Sequence, residues 1–317
     1  MAVIIFTLAY SSILLTRMAD DLAVLWLPNA FTAVVLLCTR EVNRSGIYVG
    51  AAAAITLANL AFGDPLWRAA AFAGANLFEI ILLFQFYRLA MRGDWPTDDL
   101  AAMIRFLSMV VLPAVALSSI PGAGIIFYAF DAPFFESVVD WFLNETVSIV
   151  AVFPLALLCY SRSKHRMSIT KERLLISVGV FSLVEGILAL GVFLDGIFLS
   201  YFLTVPVMAI AALVCGRGGI VLINSALLVT MTLEGLVLGE MPEHWSRVGN
   251  SIWAFSLIYF CIVLPALLVS IVTDSLRSAE KMAWDTSQNK TNFISMVSHE
   301  TLTPLNVISG MFQLLAR

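Results

Sequence analysis

The stretch VVDWFLNETVSIVAVFPLALLCY, Val138–Tyr160, runs directly into SRSKHRMSITKER at 161–173. The first string holds only two charged side chains, Asp140 and Glu145, in 23 residues. As an α-helix it would reach roughly 34 Å, enough to cross a hydrocarbon core of about 30 Å. The second string carries Arg162, Lys164, Arg166, Lys171 and Arg173 against the single acid Glu172. A long apolar helix that ends in a basic cluster is a membrane span whose following loop faces the cytoplasm.

The rest of the chain extends this pattern. Of its 317 residues 60% are hydrophobic and 13% charged, against roughly 25% charged in a soluble domain. That leaves about 190 apolar residues, or about ten spans of ~20 residues. No soluble fold of this size hides so much apolar surface, which excludes an aqueous enzyme or a nucleic-acid binder as the nature of the whole chain. The net charge of −4 selects no polyanionic partner. Apolar runs bounded by charged or turn-forming breaks fall at Ala2–Thr16, Leu22–Cys38, Gly46–Phe62, Ala69–Tyr87, Ala101–Ile120, Val138–Tyr160, Leu174–Phe193, Ile197–Cys215, Gly219–Leu238 and Ile252–Val272. The expected fold is all-α, a polytopic transmembrane bundle of about ten spans over residues 1–272. Residues 1–16 lack the basic start of a cleaved signal peptide. The four cysteines (Cys38, Cys159, Cys215 and Cys261) lie in or beside apolar runs without metal-ligand spacing, so they read as small core residues, and no metal site is expected.

Loop charges orient the spans. Arg40 and Arg44 follow the second run, Arg88 and Arg92 the fourth, the basic cluster the sixth and Arg217 the eighth. The alternate loops carry Asp20 and Asp21, Asp64, Asp131 and Glu136, Asp195, then Glu240 and Glu243, with only Arg17, Arg68 and Arg247 as bases. The even loops and both termini are therefore expected in the cytoplasm. No loop is long enough to form an external ligand-binding domain, so sensing or transport would take place within the bundle, its short loops or the lipid.

Polar side chains within spans are expensive and mark candidate sites. The spacing of Asn76 and Glu79, and of Asp140 and Asn144, puts each pair on one helix face. Together with Asn29 and Glu145 they suggest a polar pocket open to the outside, lined from the second, fourth and sixth runs and walled by Trp26 and Trp141. Its ligand would be an unidentified small molecule. The competing reading is that these groups are hydrogen-bonding glue between helices.

After Val272 the composition changes. Residues 273–292 are polar and mixed in charge, suited to a helical signalling linker. From 293 to 317 an apolar seam returns at Ile294, Val297, Thr301, Pro304, Ile308, Met311 and Leu315, in steps of three and four. That rhythm belongs to a dimeric coiled coil or four-helix bundle, so a second copy of the chain is the expected partner. His299 and Glu300 lie off the seam, where an imidazole next to a carboxylate is suited to nucleophilic phosphoryl transfer.

The string NKTNFISMVSHE (Asn289–Glu300), with TPLN (Thr303–Asn306) and ISG (Ile308–Gly310), resembles the phosphoacceptor H-box of bacterial sensor histidine kinases. The resemblance implies that His299 accepts phosphate from ATP, that Glu300 assists as acid or base, and that Thr303 positions water for dephosphorylation. It also implies a homodimer, a response-regulator partner and a bacterial inner-membrane location. Two positions depart from the family pattern: Thr301 puts a hydroxyl in the seam, and Leu302 replaces a usual arginine. The chain stops at Arg317, inside the first helix of the family's dimerisation domain, and contains no D-x-G-x-G or P-loop run. No cofactor is therefore expected in this chain; ATP and Mg would belong to a further catalytic domain.

A second resemblance covers the membrane region, residues 5–275. LWLPNA (Leu25–Ala30), Asp140-Trp141 with Asn144-Glu145 and Pro154, and Pro206 followed by CGRGG (Cys215–Gly219) resemble the first class of membrane-associated sensor (MASE) domains. The combined expectation is the membrane sensor of a two-component histidine kinase. Two alternatives stay open: a transporter or channel, and a regulatory membrane protein without kinase activity.

Overall fold

The computed structural model describes residues 1–16, 25–160, 169–194, 197–237 and 251–315; among these every regular element is helical and none is a strand. The helices are α1 (Ala2–Thr16), α2 (Pro28–Cys38), α3 (Arg44–Ala61), α4 (Leu66–Met91), α5 (Leu100–Phe106), α6 (Leu112–Phe130), α7 (Phe134–Tyr160), α8 (Lys171–Phe193), α9 (Ile197–Val237) and α10 (Ser251–Leu315). Six continuous helical stretches among the described residues are long and apolar enough to cross a membrane: Leu66–Met91, Leu100–Phe130, Phe134–Cys159, Lys171–Gly191, Leu199–Thr230 and Leu257–Glu300. Ala2–Leu14 and Pro28–Cys38 are shorter apolar helices. The first residues of the Leu22–Cys38 run, most of the basic cluster after α7, and the acidic residues Glu240 and Glu243 lie outside the described residues.

Local sequence accounts for the boundaries and irregularities. Pro28 opens α2 at a position where its missing N–H is not needed. Asp99 caps α5 by accepting from the Ala102 amide at 2.7 Å. Between α5 and α6 the backbone widens into a π turn over Leu107–Val111, just ahead of Pro113. Proline offers no N–H to the preceding turn, and a widened turn accommodates the acceptor left behind. α9 is broken at Gly216 (φ 68°, ψ 178°), a backbone conformation open to glycine and closed to most other residues. The sequence places its boundary between the eighth and ninth runs at this point.

The chain divides into two compact units, Met1–Val272 and Thr273–Arg317. In the first, α2 occupies the centre and packs on α1, α3, α4 and α7, while α8 packs on α9. One apolar core joins α2, α4, α6, α7, α8, α9 and the early part of α10. A smaller one lies between α1, α2, α3 and α4. The outer faces are also apolar: Val49, Leu57, Phe78, Leu183, Phe202 and Ile210 are exposed. A bundle that is greasy outside as well as inside is solvated by lipid. The chain is thus a multi-pass membrane protein. Of the four cysteines, only Cys215 is a core residue; Cys38, Cys159 and Cys261 are exposed.

The two ends of the bundle are chemically distinct. At one end Arg44 and Arg88 both lie over the Phe84 ring, 4.9 and 5.7 Å from its centroid. Arg105 pairs with Asp94 at 2.9 Å, and Arg217 donates to the carbonyls of Thr97 and Asp98. At the other, Arg68 pairs with Asp64 and lies 4.7 Å over Phe130, while Trp67 meets Tyr128 edge-on. The turns after α2 and α4 and the break in α9 thus share one end, and the turns after α3 and α6 share the opposite one.

In the second unit the helix is exposed from Leu276 through residue 300, Trp284, Ile294 and Val297 included. The seam positions from Thr301 onward have side chains outside the described set.

Close packing in the first unit makes one glycine indispensable. A Cβ on Gly122 would fall 2.4 Å from the Trp141 ring, so α6 approaches α7 only because that position has no side chain. Gly122→Ala is expected to destabilise the protein by about 1–3 kcal/mol, the usual cost of overpacking, read as a lowered unfolding midpoint in detergent. Gly124→Ala, where a Cβ meets nothing within 4 Å, should leave that midpoint unchanged.

Candidate functional site: a buried carboxyl network

Polar residues of the second, fourth and sixth apolar runs meet through Asn29, Asn76, Glu79 and Trp141. α2 contributes Asn29, α4 contributes Asn76 and Glu79, and α7 contributes Trp141, Asn144 and Glu145; all six are buried. Glu79 is the hub, with 0% of its surface exposed. Its Oε1 accepts from Asn29 Nδ2 at 2.9 Å. Its Oε2 accepts from the Ser118 hydroxyl at 2.6 Å and from Trp141 Nε1 at 3.4 Å. Four helices, α2, α4, α6 and α7, therefore converge on one carboxyl group.

The neighbours are fixed in turn. Asn29 Nδ2 also donates to Asn76 Oδ1 at 2.8 Å, and Asn76 Nδ2 donates to the Phe72 carbonyl at 2.8 Å. Trp26 Nε1 donates to Asn29 Oδ1 at 3.1 Å, while the Trp26 amide donates to Ser148 Oγ at 3.0 Å. Trp141 stacks on Phe72 with centroids 6.3 Å apart. Glu145 is buried one turn along α7 from Trp141, on the face that meets Glu79, and its Oε2 has no partner.

This arrangement differs from a pocket open to the outside. The side chains are packed against one another, and the tryptophans act as hydrogen-bond donors to the network rather than as bare walls. Asn29 reaches both Asn76 and Glu79, so these groups sit at one level of the bundle. Asp140 is only half-buried and has a polar interaction of its own. Ser118 and Ser148, the hydroxyls that complete the network, carry no charge; their signal in the sequence was their place in long apolar runs. Both are buried, and a hydroxyl there needs a partner.

The second set of candidate residues lies on α10. His299 and Glu300 are exposed. Thr303 is helical, and its side chain lies outside the described residues. Among the described residues no group of three or more His, Cys, Asp or Glu side chains converges to hold a metal.

Compared with known families, residues 1–275 match MASE1. The chain belongs to the MASE1 family. MASE1 is a membrane sensor domain typical of signalling proteins, and its span here contains the whole Glu79 network. No curated protein and no solved structure matches the chain. MASE1 membership leaves the stimulus open, so the network must be judged on its own chemistry. Here both readings of intramembrane polar groups meet in one object: the bonds that join the MASE1 helices to each other are also the groups a ligand would have to engage.

Removing the hub leaves donors from three other helices facing no acceptor. Glu79→Ala is expected to cost about 1–3 kcal/mol, the penalty of orphaned buried polar groups. Ser118→Ala, which deletes one donor, should cost about 0.6 kcal/mol, the mean for hydrogen bonds between membrane helices. Unfolding in mixed micelles measures both; equal losses would mean that Glu79 is not the hub.

Proposed function

We propose that this protein is the membrane-sensor portion of a two-component histidine kinase. The observation that carries the reading is the exposed His299-Glu300 pair on α10, within a string that resembles the kinase H-box. An exposed imidazole beside a carboxylate satisfies what phosphoryl transfer asks of an acceptor: access to the donor, and a nearby group that takes the proton. Thr303 would position water for the reverse reaction.

In this reading the MASE1 bundle changes conformation in response to a stimulus met in the membrane. The helical linker at 273–292 passes that change to residues 293–317, which pair with those of a second copy. Rotation or repacking of the paired helices then alters the presentation of His299. A stimulus can drive this only if it binds one conformation more tightly than the other. ATP and Mg2+ would be held by a separate nucleotide-binding domain, and a response regulator would take the phosphate from His299.

The topology belongs to the same proposal: ten spans in a bacterial inner membrane, with both termini in the cytoplasm. Supporting it, the arginine-rich turns gather at one end of the bundle, as the positive-inside rule requires. In a cysteine-free background, Glu136→Cys in intact cells should react with an impermeant thiol reagent. Glu41→Cys should react only after permeabilisation; the opposite pattern would invert the topology.

The kinase reading is tested with the full-length protein and labelled ATP. His299→Gln should abolish labelling, and Thr303→Ala should retain it while slowing dephosphorylation. Undiminished labelling of His299→Gln would remove His299 from its role.

A further inference from the structure

The Glu79–Glu145 pair has a chemical problem that the surrounding protein solves only in part. Glu79 accepts from three donors on three helices, which is the solvation of an ionised carboxylate. Glu145 is buried one turn along α7 from Trp141, on the helix face that donates to Glu79. Two ionised carboxylates side by side in a water-poor bundle repel, and no solvent screens them. A hydrogen bond between two carboxyl groups needs a proton on one of them. The three donors on Glu79 favour its ionised form and leave one of its about four acceptor sites free, which assigns that proton to Glu145.

Among the described residues no built-in cation replaces it; on α9, which also packs on α7, Arg217 is held by the Thr97 and Asp98 carbonyls. α2 brings Asn29 and Trp26 to the pair, and α6 brings Ser118; neither helix contributes a charged side chain there. On α4 the nearest bases in sequence are Arg68, paired with Asp64, and Arg88, over Phe84 at the far end of the bundle. On α7 the next ionisable group is Asp140, another acid. The buried Oε2 of Glu145 has no partner, which is the mark of a group built for a change of state rather than for glue alone.

We propose that Glu79 and Glu145 form a binding site for one exchangeable proton, and that this proton clamps α4 to α7. With the proton bound, the two carboxyls are joined by a hydrogen bond. Its release breaks that O–H bond at Glu145, sends H+ to water and leaves two facing carboxylates. Their repulsion favours a bundle in which α4 and α7 stand further apart. This deepens the sensor reading, on which its signalling consequence rests: the ligand of the MASE1 bundle would be the proton, and the stimulus a change of acidity or of proton gradient.

The test uses the 317-residue chain in lipid nanodiscs and infrared spectroscopy of the carbonyl stretch of neutral carboxylic acids. The proposal expects a band that shifts in D2O and disappears reversibly as pH rises from about 4 to about 10, a window wide enough to include shifted carboxyls. Glu145→Gln should remove the titrating band entirely. Glu79→Gln should remove or displace it, and Asp140→Asn should retain it. A wild-type chain with no such band, with one that neither exchanges nor titrates, or with one that Na+ removes at fixed pH would overturn the proposal. The last result would mean a metal-cation site instead. Phosphorylation at His299 of the full-length protein, measured across the same pH range, separates the two levels. A titrating band with pH-independent phosphorylation would keep the proton site and remove its signalling role. No phosphorylation at any pH would sink the kinase reading and leave the proton site standing.

Discussion

Four helices of the membrane region converge on one buried carboxyl group. Glu79 has no exposed surface, and it is held by donors from α2, α6 and α7. In a bilayer, apolar packing discriminates weakly between partners, because lipid tails are as apolar as leucine. A polar group that must find its donors does discriminate. Glu79 therefore fixes which helices are neighbours and at what height they meet, and the tight seat of Trp141 over Gly122 follows from it.

The same constraint makes the bundle suitable as a sensor. A packed apolar core has many nearly equivalent arrangements. A hub with three donors on three helices has few. Bistability of that kind is what a signalling domain requires if a small stimulus is to select between two global states. The surrounding elements also contain the features that permit limited movement: the π turn before Pro113 and the break at Gly216.

Much of this was legible in the sequence, for physical reasons. Apolar runs are long because the bilayer is thick, so helix positions could be read directly; α1 begins and ends where the run does. Charged breaks located the turns, and the structure gathers Arg44, Arg88 and Arg217 at one end. Asn29, Asn76, Glu79, Trp141 and Glu145 stood out because polar groups in apolar runs are costly. The serines did not, because a hydroxyl is cheap enough to bond its own helix and leaves no pattern. Burial of the network could not be read at all, because it depends on how α6 packs on α7. On α10 the apolar run to Val272 and the polar stretch after it are both helical, and His299 and Glu300 are exposed.

The claim that one carboxyl organises four helices is most directly tested by a double-mutant cycle between Glu79→Gln and Ser118→Ala, with unfolding free energies measured in mixed micelles. A shared hydrogen bond predicts coupling of about 0.5–2 kcal/mol, beyond the additivity expected of independent sites. Strictly additive losses would mean that Ser118 and Glu79 stabilise the bundle separately, and the hub would cease to be the organising contact.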